Sequence, residues 1–180
     1  GIQSGYTLVG SSDTGKPAWE WAEQAVLALS PHNASLAPGG LVGSNQGAHG
    51  HDCTLNFSAT VAQCVIWEKI LPNCVRFSCA MFHIQSRQAA ATTGTLGWIV
   101  LTRAVGDGDA WDAAYPNSDT VPAVAVKGTA GTVLFQCVAL TVGGWVCNRL
   151  LHVKLRRDID NDTVAEEANV MKAYIRLTPS

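Results

Sequence analysis

The run richest in potential ligands is His49-Gly50-His51-Asp52-Cys53, four metal-binding side chains within five residues. On an extended segment His49 and His51 point the same way, so both imidazoles could meet one cation. A zinc site would need a further ligand from elsewhere, and His83 and His152 are the distant histidines able to supply it. The run sits in a Gly-rich stretch leading into an apolar alternation. We read it as a loop entering a strand, keep His49 and His51 as candidate ligands, and expect no cofactor.

A second cluster is Asp107, Asp109 and Asp112 around Trp111. A flat indole can stack on a pyranose ring, and Asp109 and Asp112 beside it offer hydrogen-bond acceptors. Trp111, Asp109 and Asp112 are therefore the candidate glycan contacts, set against the plainer reading of a hydrated hairpin tip. Trp67, Trp98 and Trp145 read as strand residues of the core or an interface.

Other motifs fail on single positions. Asp158, Asp160 and Asp162 stand at positions 1, 3 and 5 of a would-be calcium loop, but Thr163 replaces the required Gly and Asn169 the required Glu. Gly10 to Pro17 follows the phosphate-loop spacing until Pro17 replaces the hydroxyl that would hold magnesium. There is no GxSxG elbow, no assignable carboxylate pair and no recognisable Cys–His signature, so no enzyme is expected.

The chain that must position these groups has 180 residues, enough for one domain with an appendage. Its 47% apolar content excludes global disorder. A net charge of −2 gives no field to recruit nucleic acid or an anionic membrane. No apolar run reaches the ~18 residues of a spanning helix. The longest, 132–147, is broken by Gln136 and Gly143-Gly144. The first four residues lack the charged and apolar regions of a secretory leader. Only 14% of residues are charged, against about 25% in an ordinary soluble domain. That scarcity suggests a surface largely turned towards other chains.

None of the six cysteines forms a CxxC pair. Cys137 and Cys147 flank Gly143-Gly144, where a two-residue turn would set Cys147 opposite Leu140. We expect free buried thiols made in a reducing compartment, with a Cys53–Cys64 disulfide as the alternative.

Residues 1–52 read as an N-terminal arm. Pro17 to Glu23 opens a short helix whose face is Trp19, Ala22, Val26 and Leu29, ended by Pro31, and 30–52 is a Gly/Pro-rich loop. Residues 53–180 read as an all-β, antiparallel, jelly-roll-like sandwich. Period-two segments at 55–61, 75–85, 95–103, 121–127, 132–142, 145–156 and 170–177 are separated by turn residues. The last two form the most legible hairpin. Lys154 and Arg156, then Lys172 and Arg176, point away from the apolar side, and the acidic loop Asp158, Asp160, Asp162 lies between. A basic face meeting an acidic loop would fix the register of a self-associating subunit.

The run Leu151 to Asp158, with Asp162-Thr163, Ala168 and Tyr174 to Leu177, resembles the closing hairpin of small β-sandwich proteins of tailed bacteriophages. The match covers about residues 55–177, and its specific part is the final ~30. Glu166-Glu167 depart from the Gly-Asp-type turn expected there, and residues 1–52 have no counterpart. The resemblance implies a virion protein assembled in the host cytoplasm. It would be a capsid decoration (cement) protein that binds the major capsid protein as a homotrimer. The alternative is a tail-fibre or other carbohydrate-binding sandwich module.

Overall fold

A computed structural model describes residues 25–29, 34–36, 43–45, 54–72, 77–88, 90 and 93–179. In chain order the strands are β1 Ala25–Leu29, β2 Ala34–Leu36, β3 Gly43–Asn45, β4 Thr54–Phe57, β5 Cys64–Ile70 and β6 Phe77–Gln88. They continue with β7 Thr95–Val105, β8 Asn117–Ala125, β9 Leu134–Leu140, β10 Leu150–Arg157 and β11 Ala168–Pro179. All pairings are antiparallel, in two sheets. One has the order β3-β4-β11-β6-β9 with β1 also on β11, and the other the order β2-β5-β10-β7-β8.

Alternation builds the core between the sheets. On β6 residues 80, 82, 84, 86 and 88 are buried while their odd-numbered neighbours are only partly so. Trp67 and Trp98 are fully buried, and Phe57 packs edge-on against Trp98 with ring centroids 5.2 Å apart. Truncating such a ring costs about 3–5 kcal/mol. A polar side chain also ties the sheets. Gln136 on β9 accepts from Trp98 Nε1 at 3.1 Å, and its amide donates to the carbonyls of Leu96 at 2.9 Å and Pro122 at 3.0 Å. The residue that breaks the apolar run in the sequence is thus a fully bonded cross-sheet brace.

A β-bulge on β11 sets which side chains face out. Val170 pairs with Ser86 and Lys172 with Gln85, so Met171 is the extra residue. Ala168 and Val170 face in before it, and Ala173, Ile175 and Leu177 after it. The phase change turns Lys172, Tyr174 and Arg176 outward.

Three expectations are corrected. Residues 25–29, expected to end a helix, form a strand along β11 from Ala25–Leu177 to Leu29–Ala173. The β4 strand occupies the same edge of β11 only at Ala168–Val170, and β1 satisfies the backbone groups further along. Residues 17–24 lie outside the described residues. Segments 34–36 and 43–45, expected in a loop, add edge strands to β5 and β4. The expected hairpins across Gly143-Gly144 and across 158–167 are crossovers between sheets, since β10 lies in one sheet and β9 and β11 in the other.

Candidate functional site

On the outer face of the five-stranded sheet, Glu68 of β5, His152 of β10 and Arg103 of β7 stand in one cross-strand row. Lys154 follows two residues along β10. Loop 106–116, which joins β7 to β8, folds back over this row. The Arg103 guanidinium, buried at 7% exposure, is what holds it there. It donates to the carbonyls of Ala113 at 2.6 Å, Ala110 at 3.1 Å and Trp111. A charge in this position is stabilised by several acceptor dipoles, and the loop backbone is fixed in return.

Trp111 is consequently held by its main chain while its indole remains 62% exposed. The ring meets His152 edge-to-face, centroids 4.8 Å apart at 74°. His152 is itself 5% exposed, with Nε2 3.8 Å from Glu68 Oε1. Burial lowers the pKa of His152 below its ordinary value; Glu68 opposes this and Arg103 adds to it. The imidazole is therefore neutral at pH 7. Tyr115 completes the cluster, its ring centroid 5.7 Å from Lys154 Nζ and 6.0 Å from the Arg103 guanidinium carbon. Burial raises the Tyr115 pKa, against the pull of Arg103, with Cys64, Glu68 and Asp112 adding to the rise. Its hydroxyl thus keeps its proton at neutral pH.

The surface offers an open aromatic face, carboxylate acceptors at Glu68 and Asp112, an ammonium and a phenol. This set matches a sugar, whose C–H faces are apolar and whose hydroxyls both donate and accept.

Of the residues singled out in the sequence, Trp111 and Asp112 are exposed here. Asp109 is turned to the loop's own structure. Its Oδ2 accepts from Gly106 N at 2.7 Å and lies 3.3 Å from Arg149 Nη1. Gly108, at φ +80°, permits that turn.

The expected basic face is divided. Lys154 and Arg156 project from the five-stranded sheet, Lys172 and Arg176 from the six-stranded one, so the two pairs lie on opposite outer surfaces. The acidic loop is also largely inward. Asp162 forms a two-point ion pair with Arg157, at 2.6 and 2.8 Å, with both side chains 1% exposed. Arg157 further donates to the carbonyls of Glu166 and Val164. Asp158 is 4% exposed and accepts from Asn161 Nδ2 at 3.0 Å. Only Asp160 is exposed. The Arg157-Asp158 and Asp162-Thr163 residues of the phage resemblance are therefore occupied in folding a crossover.

Candidate metal ligands His49 and His51 lie outside the described residues. Among the described residues no group of three or more His, Cys, Asp or Glu is placed to hold a metal. Cys64, Cys79 and Cys137 are free thiols, while Cys53 and Cys74 lie outside the described residues. Sequence reasoning missed Glu68, Arg103 and Tyr115. Outward positions on two strands and a loop residue from distant parts of the chain carry no joint signal until the register is known.

No protein-family model and no curated protein matches the chain. Solved structures do. CBM35 from Cellvibrio japonicus Abf62 is similar with a TM-score of 0.50 and 13% identity, covering 84% of this chain and 92% of that one. A native family 35 carbohydrate-binding module from Clostridium thermocellum gives 0.48 and 10%, covering 84% and 97%. The xylan-binding module CBM15 gives 0.48 and 13%, covering 87% and 99%. At such identity the likeness concerns the fold, and the first of these carries it. The chain is an all-β, antiparallel two-sheet sandwich of the kind seen in carbohydrate-binding modules.

Proposed function

We propose that this chain is a non-catalytic carbohydrate-binding domain whose ligand stacks on Trp111. The observation that carries the reading is the contrast within loop 106–116: a backbone pinned by buried Arg103 presenting a large indole mostly to solvent. A pre-ordered aromatic platform loses little conformational entropy on binding. Beside it, Glu68 and Asp112 accept from sugar hydroxyls, and Lys154 and the Tyr115 hydroxyl donate. The sandwich likeness to CBM35 supports the same class.

This reading takes precedence over the capsid-decoration one, which rests on residues that the fold employs around Arg157. The docking surface that reading expected is also split between two faces. Affinity electrophoresis against a panel of neutral polysaccharides tests the proposal. At least one should retard the protein, and Trp111→Ala should abolish the retardation with thermal stability little changed. Retardation by none, or retardation indifferent to Trp111→Ala, would overturn it.

A further inference from the structure

On the opposite surface, the outer face of the six-stranded sheet carries a groove of ≈ 100 Å³ that the reading above does not use. The register builds its walls. Tyr174, His83 and Cys137 are direct cross-strand neighbours on β11, β6 and β9 and form one side. Gln85 and Phe135, paired one step along, form the other. His83 and Tyr174 stack with centroids 4.7 Å apart and planes within 9°, a rigid ridge. Phe135 is 69% exposed across from it.

Cations flank the ridge. Lys172 and Arg176 lie two residues either side of Tyr174 on the same face of β11, both exposed. The Lys172 ammonium is 5.7 Å from the Tyr174 ring centroid, and burial lowers the His83 pKa, with Arg176 adding to it. Among the described residues no carboxylate pairs with either cation. The Trp111 face differs in setting Glu68 and Asp112 beside its cations.

We propose that this groove is a second glycan site, selective for an acidic sugar residue. The pyranose ring lies against Phe135, its hydroxyls meet the Gln85 amide, and its carboxylate or sulfate is held by Lys172, which shares the Phe135–Gln85 row, with Arg176 beyond the Tyr174 ridge adding attraction. A neutral sugar there would leave both cations unmatched, whereas an anionic one gains charge-assisted hydrogen bonds. The two outer surfaces are separated by the thickness of the sandwich, so the domain engages two chain segments at once. The inference rests on the reading of the chain as a glycan-binding domain and adds a ligand class at a separate place.

The test is titration calorimetry of the full chain at about 20 mM salt, where surface charge is weakly screened. The probes are polygalacturonate, its methyl-esterified form, dextran sulfate and dextran, with a deoxythymidine oligomer as a non-sugar polyanion. Polygalacturonate or dextran sulfate should bind, and which of the two does so identifies the acid group. Esterification or removal of sulfate should weaken binding about tenfold or more. Lys172→Gln with Arg176→Gln should do the same, while Trp111→Ala leaves it intact. Equal binding of charged and neutral forms, binding unchanged in the double variant, or equal binding of the oligomer would each overturn the proposal. Failure of the Trp111 site alone would show instead as neutral-glycan binding indifferent to Trp111→Ala.

Discussion

Loops 106–116 and 158–167 look alike in sequence: each is Asp-rich, and each has an arginine shortly before it, Arg103 or Arg157. Both guanidiniums are buried and both hold their loop by its carbonyls. They differ in what neutralises the charge. Arg157 takes Asp162 as a two-point partner, so the second loop turns Asp158 and Asp162 inward and leaves Asp160, Glu166 and Glu167 outside. Arg103 relies on three carbonyls and lies beside the Tyr115 ring, so the first loop leaves Trp111 and Asp112 facing water. An acidic turn that spends its carboxylate on a buried arginine is a fold device; one pinned through its backbone leaves side chains such as Trp111 and Asp112 open to solvent.

The largest effect expected from this contrast is on Arg157→Met. It strands the Asp162 carboxylate at 1% exposure, and breaking a buried pair in this way costs about 3–5 kcal/mol. Urea unfolding should show that loss. A variant within about 0.5 kcal/mol of wild type would remove the distinction between the loops.

Next comes Arg103→Met. No carboxylate is stranded, and the freed carbonyls can reach water, so stability should fall by about 1–3 kcal/mol. Limited proteolysis should then cut within 106–116, and glycan affinity should drop with it. Unaltered proteolysis would show that the loop does not depend on Arg103.

The smallest effect concerns pH. Burial lowers the pKa values of His83 and His152 in the folded chain, Arg176 adding to it for His83. Below about 6.5 the unfolded chain therefore binds more protons than the folded one, and stability contributed by these groups is lost as pH falls. Thermal melts at pH 7.5 and 5.0 should differ less in His152→Gln than in wild type. An equal or larger difference would contradict the burial of that imidazole.

Alternation made the fold class legible. The outward facing of Lys154 and Arg156 on β10 and of Lys172 and Arg176 on β11 was legible in the sequence, though the bulge at Met171 that puts Val170 inside was not, and Trp111 stands out because an indole between two acids does not suit a core. Sheet membership was hidden, because strands adjacent in sequence across 141–149 and 158–167 enter opposite sheets. β1 was hidden because its helical periodicity is overridden by pairing with distant β11. β5 was obscured because its outward positions include Ile66 and Ile70, which blur the alternation. The row Glu68–His152–Arg103 draws on three strands, and local pattern has no access to such a juxtaposition. Arg103 itself reads as an ordinary outward arginine until the loop it holds is seen above it.

That Trp111 serves a ligand, its side chain giving the fold no more than a ring contact with His152, is the centre of the proposal. Its most direct test compares Trp111→Ala with wild type in two readouts on the same samples, retardation in a polysaccharide gel and the midpoint of thermal unfolding. Retardation should fall by the equivalent of about 2 kcal/mol or more, roughly a thirtyfold weakening, while the midpoint shifts by no more than the loss of one exposed ring contact allows. Retained retardation, or a clear drop in the midpoint, would contradict it and return loop 106–116 to the role of a hydrated turn.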